Sequence, residues 1–172
     1  KSCIRRGLPE EKLIPLGIPV SRLCTREISK EDARKKLGLC TEKKYILVAG
    51  GSMGAGDMKK LVECLLKSTT GEELIIVCGN NQKVEARLKK SFGGEKRATV
   101  LGFTTQMSLY MKACDVLFTK PGGLTSTEGA VAEIPMVHTE PIPGCETANR
   151  KFFGRLGMSI SGKTIKGQVQ AG

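Results

Sequence analysis

From Tyr45 onward the chain repeats one unit, a short run of almost uninterrupted apolar residues followed by an amphipathic stretch. Tyr45-Ile46-Leu47-Val48-Ala49 and Leu74-Ile75-Ile76-Val77-Cys78 are the clearest runs. A strand that is apolar at every position must be covered on both faces, and a parallel sheet between two helical layers provides that cover. The pattern predicts strands near 45–49, 74–78, 98–101, 115–118 and 136–138. It predicts helices near 58–68, 83–91, 106–113, 124–132 and 146–155. Upstream, Ser29 caps a short helix through Leu37 that stops at Gly38. The expected architecture is a doubly wound, Rossmann-like α/β domain over residues 27–172. The Pro/Gly-punctuated segment 1–26 is expected to be a connector.

Composition narrows the partners. A chain of 172 residues suits one core. A net charge of +11 favours an anionic partner, which includes nucleic acid, an acidic membrane surface and phosphorylated small molecules. The basic pairs, Arg5-Arg6, Lys59-Lys60 and Lys89-Lys90 among them, are spread over many segments. With only 4% aromatic residues, none interleaved with those pairs, the stacking platform of a nucleic-acid binder is missing, so no nucleic acid is expected. Seven cysteines without a Cys-x-x-Cys pair point to a reducing compartment, with neither a disulfide framework nor a metal site. The apolar runs are far shorter than the ~18 residues of a membrane span, so any membrane contact is expected to be peripheral.

In sheets of this kind ligands bind outside the carboxyl ends of the strands. The loop Gly50-Gly51-Ser52-Met53-Gly54-Ala55-Gly56 lies at such an end, where backbone amides can approach a phosphate. It has neither the Gly-Lys-Ser/Thr of a triphosphate loop nor the Gly-x-Gly-x-x-Gly spacing of a dinucleotide loop, which disfavours hydride transfer. Lys120-Pro121-Gly122-Gly123-Leu124-Thr125 places small residues and a hydroxyl at a helix start. Glu128, three residues after Thr125, shares its face. On a solvated helix Glu128 would be plain surface and Thr125 or Ser126 a cap. At a strand end it is placed to accept two sugar hydroxyls. Glu146 and Asn149 are spaced to share one face of the next helix and offer an acceptor and an amide. His138, the single histidine, reads as a packed, hydrogen-bonded residue rather than a base, and Cys145 as an ordinary small side chain.

Taken in order, Gly50-Gly51-Ser52-x-Gly54, Gly102-Phe103-Thr104, Lys120-Pro121-Gly122-Gly123-Leu124-Thr125-x-x-Glu128 and Pro143-Gly144-x-Glu146-x-x-Asn149 resemble glycosyltransferase family 28. Within that family they look most similar to the diacylglycerol glycosyltransferases. The resemblance implies the carboxyl-terminal half of a two-domain GT-B enzyme, with an acceptor-binding domain and the catalytic base outside this sequence. Its donor is a UDP-hexose, its acceptor a lipid reached through the other domain, and it needs no cofactor or metal. It further implies inversion at the sugar and a cytoplasmic, peripheral position on an anionic membrane face. By the same resemblance Phe103 and Thr104 meet the uracil, while Gly51, Ser52, Met53 and Gly54 lie near the diphosphate. Gly122, Gly123, Leu124 and Thr125 line the diphosphate and ribose, Glu128 takes the ribose hydroxyls, and Glu146 with Asn149 orients the hexose. Relatives usually carry Gln where this chain has Cys145, which leaves glucose and galactose both open. Two other readings remain, transfer of N-acetylglucosamine to a polyprenyl-linked peptidoglycan precursor and a nonenzymatic UDP-sugar-binding module.

Overall fold

The computed structural model describes residues 2–14, 16–50 and 57–172. Short elements come first: α1 (Ser2–Arg5), a 3-10 turn (Glu10–Lys12) and α2 (Arg22–Thr25). The main domain then runs α3 (Lys30–Leu37), β1 (Tyr45–Ala49), α4 (Met58–Ser68), β2 (Glu73–Val77), α5 (Gln82–Phe92), β3 (Ala98–Leu101), α6 (Met107–Ala113) and β4 (Val116–Thr119). It closes with α7 (Gly123–Val131), β5 (Met136–His138), α8 (Cys145–Arg155), β6 (Ser159–Ser161) and α9 (Ile165–Ala171). All strand pairs are parallel, in the order β3-β2-β1-β4-β5-β6. The doubly wound expectation therefore holds.

The sheet is covered on both faces because its strands alternate between two cores. Ile46, Val48, Leu74 and Ile76 point toward α4, α5 and α9. Tyr45, Leu47, Ile75 and Val77 point the other way, where Met111 of α6 and Phe153 of α8 meet them. Every position of β1 is buried. The helices present apolar faces at helical spacing. In α4, Met58, Leu61, Val62 and Leu65 are buried, and Asp57 caps the helix by accepting the Lys60 amide at 3.1 Å. Ser29 caps α3 as expected, and Gly38 stops it at φ 68°, a backbone that glycine adopts without strain.

Differences from the expected elements are small and have physical reasons. The fourth strand starts at Val116; Asp115, directly before it, donates its amide to Tyr45 O at 2.8 Å and pairs its side chain with Lys30 and Arg34. β6 and α9 add a sixth strand and a last helix that no apolar run announces. The segment before α3, expected to be an ordered connector, carries α1, the 3-10 turn and α2.

The chain direction across the sheet reverses between β1 and β4, so the switch point lies outside Ala49 and Thr119. Both small-residue loops, after Gly50 and at Lys120–Gly123, start there.

Candidate functional site

Helix α7 is the centre of the candidate site, and its rotation is set by its inward face. Ser126 and Gly129, one turn apart, are buried. A methyl group on Gly129 would stand 2.8 Å from Met136 Sδ and 3.2 Å from Leu117 Cδ2, so glycine is what lets the helix lie this close to the sheet. Ser126 Oγ and His138 Nε2 share a hydrogen bond of 3.0 Å, both residues being fully enclosed. His138 is thus the packed, hydrogen-bonded histidine the sequence implied. With that face turned in, Thr125 and Glu128 occupy the adjacent face and Leu124 projects outward, 64% exposed.

Among the described residues no side chain caps the helix start. Gly122 is the N-cap, at φ −66° and ψ 150°, and has no side chain to turn back on the first-turn amides. The loop is braced by backbone, with Gly122 N donating to Lys120 O at 2.7 Å, and by Thr127 Oγ1 donating to Gly123 O at 2.7 Å. Open amides and the helix dipole together make a place for an anion. Lys120, just before that helix, lines a cavity of about 140 Å³ between the ends of β1 and β4 together with Gly50, Lys163 and the carboxylates of Asp57 and Glu140.

Glu128 is half-buried and, among the described residues, has neither an ion-pair nor a hydrogen-bond partner. Burial alone raises its pKa. A partly desolvated carboxylate without a partner gains from any ligand that brings hydroxyl donors to it.

Glu146 and Asn149 share the first turns of α8, as their spacing implied, and each already has structural work. Glu146 Oε2 accepts the Ile142 amide at 2.6 Å, closing the loop before the helix. That loop turns at Gly144 with φ 110°. Asn149 Nδ2 donates to Pro121 O at 3.0 Å and ties α8 to the Lys-Pro-Gly-Gly loop. This bond brings the α7 and α8 candidates into one place. Further round the rim, Phe103 is 68% exposed after β3, and Thr104 Oγ1 accepts the Gln106 amide at 3.1 Å to shape the turn into α6. The expected phosphate-loop residues Gly51, Ser52, Met53 and Gly54 lie outside the described residues. The seven cysteines are all free thiols, and Cys145 is exposed.

Two features were absent from the sequence-based site. Lys120 belongs to the motif but was given no role, although a cation directly after a buried strand at the switch point is a readable signal. The segment before α3 also reaches the site: Ile18 lies against Gly123, and Cys24 is buried near Glu128.

The described residues thus form a Rossmann-like sheet with an uncapped helix start and an unpartnered carboxylate at its switch point, the fold seen in GT-B glycosyltransferases. Residues 45–140, more than half of the chain, match the glycosyltransferase family 28 C-terminal domain. The chain belongs to that family. It is 27% identical over 165 residues to a processive diacylglycerol β-glucosyltransferase of Staphylococcus saprophyticus, covering 95% of this chain and 42% of the relative. The fold is similar to that of Acinetobacter baumannii MurG, with a TM-score of 0.63 and 24% identity over 86% of this chain and 44% of that one. It is also similar to an Anabaena protein in complex with UDP and glucose, with a TM-score of 0.62 and 20% identity over 98% of this chain and 48% of that one. The chain thus spans less than half the length of the proteins it matches.

Proposed function

We propose that this chain binds the donor in an inverting glycosyltransferase that moves a hexose from UDP to diacylglycerol, forming membrane glycolipid. The observation that carries the reading is Glu128, a half-buried carboxylate without a partner among the described residues, one helical turn beyond an uncapped helix start. A nucleoside diphosphate fits this pair. Its phosphates meet the open amides of α7 and its ribose hydroxyls donate to Glu128. The family membership, the name of the Staphylococcus relative and the UDP held by the Anabaena protein support the choice of ligand.

Chemically, breaking the bond between the anomeric carbon and the diphosphate oxygen places growing charge on the departing UDP. Amides already aimed at that position stabilise it without rearrangement, an effect worth several kcal/mol. Lys120 is placed to add to it. Phe103 and Thr104 would border the uracil. Glu146 and Asn149, whose Oε1 and Oδ1 have no partner among the described residues, would accept hexose hydroxyls. The attacking hydroxyl would be deprotonated from an acceptor-binding domain joined through residues 1–26. Among the described residues no helix is long and apolar enough to cross a membrane. The net charge of +11 supports docking on an anionic membrane face, the lipid acceptor being presented there.

Titration of the chain with UDP, UDP-glucose, UDP-galactose and UDP-N-acetylglucosamine tests the reading and ranks the donors. Glu128→Ala is expected to weaken UDP about ten- to a hundredfold, the loss of hydrogen bonds to a charged acceptor. The unfolding temperature should barely move, because Glu128 packs nothing in the core. A folded chain that binds no uridine nucleotide would sink the proposal.

A further inference from the structure

The connector is not a passive lead-in, because it runs along the helix that bears the candidate site. At one end a methyl group on Gly123 would stand 2.9 Å from Ile18 Cδ1 and 4.0 Å from Asn149 Nδ2, so Ile18 and Asn149 flank the same glycine. Asn149 in turn holds Pro121 O at 3.0 Å. At the other end α2 packs against α7, and Cys24, 2% exposed, sits within reach of Glu128. Burial and then the Glu128 charge push that thiol's pKa up. Gly17, at φ 76°, makes the turn that delivers Ile18, and the Ser21 hydroxyl caps α2 by accepting the Leu23 amide at 3.2 Å.

We infer that Ile18 is a positioning residue of the donor site: seated against Gly123 beside Asn149, it packs on the Pro121–Gly123 loop and so keeps the α7 amides aimed at the diphosphate. The inference rests on the proposed UDP binding. Ile18 is still 44% exposed, so it contributes little to the core, and its contact is spent on the loop rather than on the sheet. A loop that enters its helix through two consecutive glycines, Gly122 and Gly123, has few side chains of its own to fix it and depends on neighbours that press on it. The arrangement also makes donor affinity sensitive to the connector, since any movement that lifts Ile18 off Gly123 frees one side of the phosphate loop.

The test uses the whole 172-residue chain, with UDP titrated calorimetrically and thermal unfolding followed in parallel. Ile18→Ala is expected to raise the UDP Kd about fivefold, in the range of contact-coupled residues, with the unfolding temperature nearly unchanged. Ile18→Leu, which restores a terminal methyl, should recover most of the affinity. Gly123→Ala supplies an independent arm. It should weaken UDP by pushing Ile18 aside, and weaken it less when Ile18 is already Ala. An unchanged Kd in Ile18→Ala, a Kd that worsens only together with the unfolding temperature, or equal losses from Gly123→Ala in both backgrounds would overturn the role of Ile18. Failure of the unsubstituted chain to bind UDP would instead overturn the donor reading, and this inference with it.

Discussion

Replacing Arg34 with Ala is expected to cost about 3 kcal/mol of folding stability while leaving the UDP affinity of the folded chain as it was. The guanidinium is almost fully buried and spends its donors in three directions. Nε donates to Ala113 O at 2.9 Å, Nη1 to Thr41 O at 2.7 Å and Nη2 to Asp115 Oδ2 at 2.9 Å. It also lies 5.2 Å from the centre of the Tyr45 ring. The Asp115 carboxylate further accepts the Tyr45 amide at 2.8 Å and Lys30 Nζ at 2.8 Å. Burial alone would raise the Asp115 pKa, but these hydrogen bonds and the charges of Lys30 and Arg34 hold it below the usual carboxylate range. One side chain therefore pins α3 to the end of α6 and to the first residues of β1 and β4. Alanine would strip two carbonyls of this donor and leave Asp115 Oδ2 with the Tyr45 amide alone, and buried groups stripped of partners carry the full desolvation cost. Lysine should restore only a minor part, because a single ammonium cannot reproduce a three-way fork. Urea unfolding would show a lower midpoint at unchanged slope. A loss below about 1 kcal/mol would show that water substitutes for the guanidinium. The cluster sits at the amino ends of the strands, opposite the candidate site, which is why affinity should survive.

That cluster also shows where sequence reading stops. The strands were legible because burial on both faces leaves continuous apolar runs, and β1 and β3 fall on the expected residues. Asp115 was read as a strand residue because it adjoins an apolar run, and nothing local reveals that its carboxylate serves residues from α3. β6 was invisible because Ser159-Ile160-Ser161 contains one apolar residue, and as an edge strand it pairs only with β5. Gly167 interrupts the sequence pattern of α9, whose Ile165 and Val169 nevertheless pack on the core.

The site divides along the same line. The start of α7 was readable because small residues directly after a buried strand have few other uses, and the three-residue spacing of Thr125 and Glu128 fixes their common face. The scaffolding tasks of Glu146 and Asn149 were not readable, since each depends on where a loop closes. Ile18 was read only as part of a connector, because its contact with Gly123 joins segments far apart in the chain. His138 was placed correctly as a packed residue, but its partner Ser126 was expected only as a cap.

The buried histidine leads to the second large effect, a loss of about 3 kcal/mol of stability as the pH falls from about 6.5 to about 4. Burial, and after it the charge of Arg150 on α8, pushes the His138 pKa down to about 4 from the ordinary 6.5. In that window the unfolded chain takes up a proton that the folded chain refuses, so acid favours unfolding. Above it both states are neutral at this residue, and below about 4 the penalty is complete. Nδ1 of His138 is buried and has no partner among the described residues, so no acceptor there would stabilise an imidazolium. The depressed carboxyl groups of Asp57, Glu72 and Asp115 also titrate in acid and must be separated from this effect. The double variant Ser126→Ala/His138→Phe does so. It replaces both partners by apolar groups, a change that is nearly neutral when shape is kept, and leaves those carboxylates in place. The stability difference between the variant and the unsubstituted chain, measured by urea unfolding from pH 7.5 down to 4 on the scale set by these pKa values, should widen steadily in the variant's favour. Parallel curves across that range would mean that the folded chain accepts the proton, with His138 turning to water or to a new acceptor once charged.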